Sequence, residues 1–293
     1  MNIKLIVYQF LISLFTTIGQ EMRRHARDHL NLLLLLVCVS VAQGCSNGPF
    51  GCEGGMVASS TQADNSKLTL ADLDPQEAKE TGKRLISLPL GLHRLSSPQA
   101  TGSRVVLVHG FESQGYEWVY PAVTLAERGE VFWYRWDWSQ CPEEAGERLL
   151  KEVLKLSLEA PTRPIEVYGH SYGGVISAVA AARYQARTQL DVHVIASPVA
   201  GHPSIATRCL VSIAELTAPL GQDREGDTAL RLHQWRTQKE LDGAFSALDF
   251  DPQVVEWRGD VSELPDSYRG HRLGHNWSIS WVSDQLKAQE TSR

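Results

Sequence analysis

The stretch Pro164-Ile-Glu-Val-Tyr-Gly169-His170-Ser171-Tyr172-Gly173-Gly174 decides how the rest of the chain reads. Its first half is a short apolar run with strand character. From Tyr172 to Ala186 the residues are small and helix-forming. Between the two stands Gly169-x-Ser171-x-Gly173, and the change of period from strand to helix falls on Ser171. So tight a turn forces the serine into strained dihedrals. A side chain two residues to either side would collide with the turn, hence the two glycines. Gly174, Ser177, Ala178, Ala181 and Ala182 keep the helix slim enough to lie close on a sheet. The serine hydroxyl is thereby lifted clear of the strand ends, with a helix N-terminus beneath it.

Outward from this turn, strand-like and helix-like segments alternate. Arg84–Leu90 reads as an edge strand, because Pro89 would break a central ladder. Arg104–His109 is a continuous apolar run, as expected of a parallel strand buried on both faces. Tyr116–Arg128 reads as helix, Glu130–Arg135 as strand and Glu143–Leu158 as amphipathic helix. Asp191–Ala196, Leu230–Trp235 and Gln253–Trp257 read as further strands, and Ser278–Lys287 as the last helix. The alternation predicts an α/β fold, a mainly parallel central sheet with helices on both faces. Pro203–Asp227, between two strands, is partly amphipathic. It reads as a short cap insert over an apolar pocket or as helix packed on the sheet.

The composition is that of a globular chain: 43% hydrophobic and 21% charged over 293 residues. With 28 basic and 34 acidic residues and no basic block, nothing points to a nucleic-acid partner. The five cysteines lack zinc-site spacing, and no metal or other cofactor is implied. Residues 1–44 read as a targeting segment: a cationic patch at Arg23, Arg24 and Arg27, then an apolar run from Leu30 to Ala42. Met22 is an alternative start, which would make 1–21 an extension of the gene model. Val41-Ala42-Gln43-Gly44-Cys45-Ser46 resembles a bacterial lipobox, with Cys45 as the acylated residue. That resemblance implies a lipid anchor in the cell envelope. Plain secretion with cleavage near Ala42 or Gly44, Cys45 then being free to pair with Cys52, and a retained membrane anchor are the alternatives. Residues 45–66 read as anchor cysteine and flexible tether, and 67–293 as the folded domain. Every version takes the chain out of the cytosol, so Cys141 and Cys209 could form a disulfide. The oligomeric state is not written in these features.

A second motif, Val105-Val-Leu-Val-His109-Gly110-Phe111, joins the first. Together they resemble α/β hydrolases of the lipase/esterase type over about residues 84–287. Val194–Gly201 is also similar to the post-elbow strand of lipases and PGAP1-like lipid deacylases. The resemblance implies that Ser171 is a nucleophile, and that the backbone N–H groups of Phe111 and Tyr172 form an oxyanion hole. His109 precedes the serine, whereas the family base follows it. His109 therefore reads as a structural hydrogen-bonding residue or, with Trp136 and Trp138, as part of a substrate pocket. Core packing is the alternative for the two tryptophans. For the base, the loop Leu273-Gly-His275-Asn-Trp offers His275, with His271 four residues earlier as the alternative. His202 and His233 read as structural or pocket residues. For the acid, Asp242 beside Gly243 follows the Leu230–Trp235 strand; Asp249, Asp251 and Asp260 are the alternatives. The implied activity is hydrolysis of a small-molecule or lipid ester through Ser171, His275 and Asp242. A thioesterase, amidase or lipid deacylase on the same triad, and a non-catalytic envelope lipoprotein, are the competing readings.

Overall fold

The computed structural model describes residues 68–98, 100–207, 209, 211–222 and 229–291. The targeting segment, Cys45, Cys52 and the tether lie outside the described residues, as do Leu210 and residues 223–228 of the insert. Among the described residues the central sheet has seven strands: β1 (Gly91–Arg94), β2 (Ser103–Val108), β3 (Gly129–Arg135), β4 (Ile165–His170), β5 (Leu190–Ile195), β6 (Leu230–Arg236) and β7 (Asp260–Glu263). Their order is β1-β3-β2-β4-β5-β6-β7. Only the pairing of β1 with β3 is antiparallel; the other pairs of this sheet are parallel. A parallel sheet entered through one antiparallel edge strand, with strand order reversing once near its start, is the α/β-hydrolase fold.

Seven helices flank the sheet among the described residues: α1 (Ala78–Ser87), α2 (Tyr116–Leu125), α3 (Pro142–Glu159), α4 (Tyr172–Ala182), α5 (Pro203–Ala206), α6 (Ile213–Thr217) and α7 (Trp277–Thr291). A small hairpin, β8 (Ser267–Tyr268) with β9 (His271–Arg272), precedes α7. Alternation along each strand divides the core into two layers. Val106 and Val108 of β2 pack with Leu149, Val153, Val175 and Ile176 from α3 and α4. Val105 and Leu107 pack on the other face with Leu85, Trp118, Val119, Ile279 and Val282 from α1, α2 and α7.

Two sequence expectations are corrected. Arg84–Leu90 is not a strand. Residues up to Ser87 belong to α1, and the edge strand starts at Gly91. The helical frame is set upstream, at Asp74-Pro75, where the Asp74 carboxylate accepts from the Gln76 N–H. Leu85 is then buried against α2 rather than paired in a ladder. Gln253–Trp257 is not a strand either; β7 starts at Asp260. The Gln253 side-chain amide is buried, bonded to both the N–H and the C=O of Thr237. Val254 is left 52% exposed, so the paired valines do not mark a buried strand.

The insert between β5 and β6 turns its apolar residues inward. Ile205, Cys209, Ile213 and Leu220 join the α3–α4 layer of the core. The Cys141–Cys209 disulfide ties the insert to the start of α3 across 68 residues. A crosslink of this span contributes about 2–4 kcal/mol, largely by restricting the unfolded chain.

Candidate active site

The loops after β2, β4 and β6 leave the carboxyl ends of parallel strands, where such sheets bind ligands. Ser171 follows β4 directly and sits at φ 54°, ψ −127°. A Cβ on Gly169 would lie 2.5 Å from Ser177 Oγ, and one on Gly173 only 2.3 Å from the Val108 carbonyl. Both positions are closed to any side chain. Gly110 lies under the serine: a Cβ there would come within 3.0 Å of Ser171 Cβ. The segment that carries Phe111 therefore runs directly against the serine.

The structure brings His275 to Asp242. His275 Nδ1 lies 2.9 Å from Asp242 Oδ2. The carboxylate only accepts, so Nδ1 carries the proton and Nε2 is left as an acceptor. Asp242 is fully buried. Its Oδ2 also accepts from the Thr237 hydroxyl at 2.6 Å, and its Oδ1 from the Ala244 N–H at 2.8 Å. Burial pushes this carboxyl up. The hydrogen bond and charge of His275, then Thr237 and Ala244, outweigh it and hold the group below the usual carboxylate range. The His275 ring stands edge-on to Phe245 at 5.1 Å and tilted against His170 at 4.6 Å.

The other candidate acids and histidines make other contacts. Asp249 and Asp260 are exposed, and Asp251 accepts from the N–H and amide of Gln253. His271 is exposed and stacked on Trp277. His202 caps α5. His233 lies flat on Trp235 at 3.9 Å and bonds Ser262 Oγ.

A cavity of about 120 Å³ opens beside Ser171. Ser171, His275, Gly110, Phe111, Glu117 and Asn276 line it, among others. Tyr172 opens α4, whose N-terminus abuts Ser171. His109, Trp136 and Trp138 are not among the residues that line this cavity; Trp136 lines a separate one between β3 and α3. His109 is fully buried, stacked between Trp133 and Trp136 at 5.3 and 5.5 Å. Its Nδ1–H donates to the Gly110 carbonyl, and the Trp136 indole donates to the His109 carbonyl. Burial drives its pKa down to about 3, so the ring is a neutral brace for the loop after β2. Trp138 meets His109 edge-on and lies under the Arg135 guanidinium.

Three further residues build the site. His170 Nε2 lies 3.0 Å from the His275 carbonyl and so donates to it. Burial, then the neighbouring His275, holds this ring far below the usual histidine range and hence neutral. Asn276 Nδ2 donates to the Tyr116 hydroxyl at 2.9 Å, tying the His275 loop to α2. Glu117, in the first turn of α2, is 8% exposed and lines the cavity. Its Oε1 accepts from the Ser113 hydroxyl, while Oε2 has no hydrogen-bond partner. The signal in the sequence is an acid set between Tyr116 and Trp118 at the start of an otherwise apolar helix. Among the described residues no group of three or more His, Cys, Asp or Glu is arranged to hold a metal ion.

No protein-family model and no curated protein sequence matches the chain. Solved structures resemble it at low identity. Est1E from Butyrivibrio proteoclasticus is 12% identical over 69% of this chain and 92% of that one, with TM-score 0.46. Carboxylesterase CesB from Bacillus subtilis is 12% identical over 74% and 96%, with TM-score 0.45. The esterase Pf2001 of Pyrococcus furiosus is 11% identical over 64% and 80%, with TM-score 0.44. The fold assignment rests on strand order and the turn at Ser171, not on these likenesses.

The state of Glu117 has a measurable consequence. Burial raises its pKa against the opposing hydrogen bond from Ser113. The folded protein then keeps a proton that the unfolded chain has already released, so stability falls as pH rises from the ordinary carboxylate range through the folded pKa. Glu117→Gln removes that slope. In denaturant titrations across this window the wild type should lose stability relative to the variant as pH rises. A difference that stays constant with pH would contradict a raised Glu117 pKa.

Proposed function

We propose that the chain is a serine hydrolase that cleaves carboxylic esters through Ser171, His275 and Asp242. The observation that carries this reading is the hydrogen bond between the buried Asp242 and His275, which lines the same cavity as Ser171. His275 Nε2 takes the Ser171 proton as Oγ attacks the ester carbonyl. The tetrahedral oxyanion is met by the backbone N–H groups of Phe111 and Tyr172, each worth about 3 kcal/mol in such a site. The N-terminus of α4 adds its positive end. His275 returns the proton to the leaving alkoxide as the C–O bond breaks. Water, deprotonated by the same ring, then frees the acid and restores Ser171. Asp242 stays ionised, holds the Nδ1–H tautomer and stabilises the imidazolium in each step.

Ser171→Ala and His275→Ala should each lower kcat on a p-nitrophenyl ester by roughly 10³–10⁶-fold, and Asp242→Asn by roughly 10³–10⁴-fold. The far-UV spectra should match the wild type. Full activity in the Asp242 variant would sink the acid assignment, and full activity in the Ser171 variant the whole reading.

We propose further that Cys45 is acylated and holds the enzyme on the cell envelope. The cationic patch, the apolar run, Gly44-Cys45 and the polar tether support this, in that order along the chain. The Cys141–Cys209 disulfide supports export, because such bonds persist in oxidising compartments. Two or more acyl chains bind a membrane stably where one does not. Cys45→Ser should therefore move the protein out of the membrane pellet. A mature N-terminus found unmodified at Gln43 or Ser46 would mean plain secretion.

A further inference from the structure

The cavity at Ser171, about 120 Å³, has room for an ester group and little more. Next to it lies a groove of about 600 Å³, within the range of small-molecule sites. Tyr116, Glu117 and Asn276 line both, so the two spaces share a wall. The groove runs between the start of α1, the outer side of α2 and the start of α7. Its sides are Ala78, Tyr116, Tyr120, Val123 and Trp277. Tyr116, Val123 and Trp277 are 38%, 39% and 42% exposed, so three large apolar side chains meet solvent along this one groove.

Gln76 and Lys79 stand at the α1 rim of the groove, and the polar groups at the opposite end are engaged with one another. The Tyr120 hydroxyl donates to Asp284 at 2.6 Å. Arg269 pairs with Asp284 at 2.8 Å, and its guanidinium lies 4.5 Å from the centre of the Tyr120 ring. What these side chains offer an occupant is mainly ring and methyl surface. The shared wall supplies a few polar groups: the Tyr116 hydroxyl, the Asn276 amide and the buried Glu117 carboxyl.

We infer that this groove binds the apolar alcohol portion of the ester, which is the leaving group. The inference rests on the serine-hydrolase reading above and adds the substrate class: esters of medium or long apolar alcohols. The side is set by chemistry. The imidazole must hand its proton to the leaving oxygen, so the leaving group departs past His275. Asn276 and Trp277, the next two residues, lead from His275 into the groove. The acyl carbon, bonded to Ser171 Oγ after the first step, stays in the smaller cavity while the alcohol lies beyond the Tyr116–Asn276 bridge. Burying one methylene is worth about fourfold in an equilibrium when the burial is complete. The half-open groove should give a smaller gain per carbon, summed over the chain.

The test is the ratio of kcat/KM for octyl acetate to that for ethyl acetate, set beside the ratio for ethyl octanoate to ethyl acetate. The wild type should favour octyl over ethyl acetate by tenfold or more, with a weaker gain from lengthening the acyl side. Val123→Trp and Gln76→Trp, at exposed positions on the two sides of the groove, should each collapse the octyl preference. Leu158→Trp, at a still more exposed position on α3 and outside the groove lining, should leave the ratio as in the wild type. A wild type indifferent to alcohol length would overturn the inference. So would groove variants that keep the octyl preference, or that lose only the ethyl octanoate gain. Any of these would leave the serine-hydrolase reading intact. A protein that cleaves none of the esters and does not react at Ser171 with a fluorophosphonate removes that reading, and this inference with it.

Discussion

The turn at Ser171 cannot relax, and the site is arranged around that constraint. A serine at φ 54° costs about 1–3 kcal/mol relative to ordinary backbone. The strand before it is held in the sheet on both sides, by β2 and β5. The helix after it is buried along its whole length. Neither element can shift to relieve the serine without opening the core. The strain is thus held by packing, and the hydroxyl is kept at the end of β4, above the helix N-terminus. Gly110, Gly169 and Gly173 are the spaces this arrangement needs, since a Cβ at each would strike the serine, the following helix or the loop after β2.

The second constraint is electrostatic. A fully buried carboxylate is costly unless its oxygens are satisfied. Asp242 meets that condition with hydrogen bonds from Thr237, Ala244 and His275. Two neutral histidines complete the frame. His109 braces the loop that carries Phe111, and His170 holds the carbonyl of His275. Burial keeps both rings neutral. The loops after β2, β4 and β6 are in this way locked to one another by side chains that never touch the reacting atoms.

Much of this was legible in the sequence, where local chemistry and tertiary need coincide. The glycines around Ser171 are required by backbone geometry, so the turn could be read without a partner in view. The apolar run Val105–Val108 carries its own evidence of burial on both faces. Asp242 and His275 were found by position relative to strands, and the structure places them 2.9 Å apart. Segments 84–90 and 253–257 were misread because a few apolar residues fit either period. In each, the deciding interaction lay outside the segment: the Asp74 cap in one, the Thr237–Gln253 bonds in the other. Glu117, His170 and Asn276 were missed as well. For His170 and Asn276 the meaning comes from partners 105 and 160 residues away, which no local pattern announces, whereas Glu117 carries a local signal in its apolar helix start and its Ser113 partner four residues before. For Trp136 and Trp138 strand direction leaves pocket and core both open, and the contacts with His109 and the α3–α4 core layer favour core packing.

The account stands or falls on Ser171 becoming covalently acylated. The direct measurement is peptide mass spectrometry after rapid mixing with excess p-nitrophenyl acetate and acid quench within the first turnover. The account predicts one acetyl group, on the peptide that contains Ser171, appearing with the p-nitrophenolate burst and decaying as substrate is exhausted. In Asp242→Asn the same adduct should form much more slowly. Product released with no adduct at Ser171, or an acetyl group that forms at the same rate on another residue in Ser171→Ala, would contradict it.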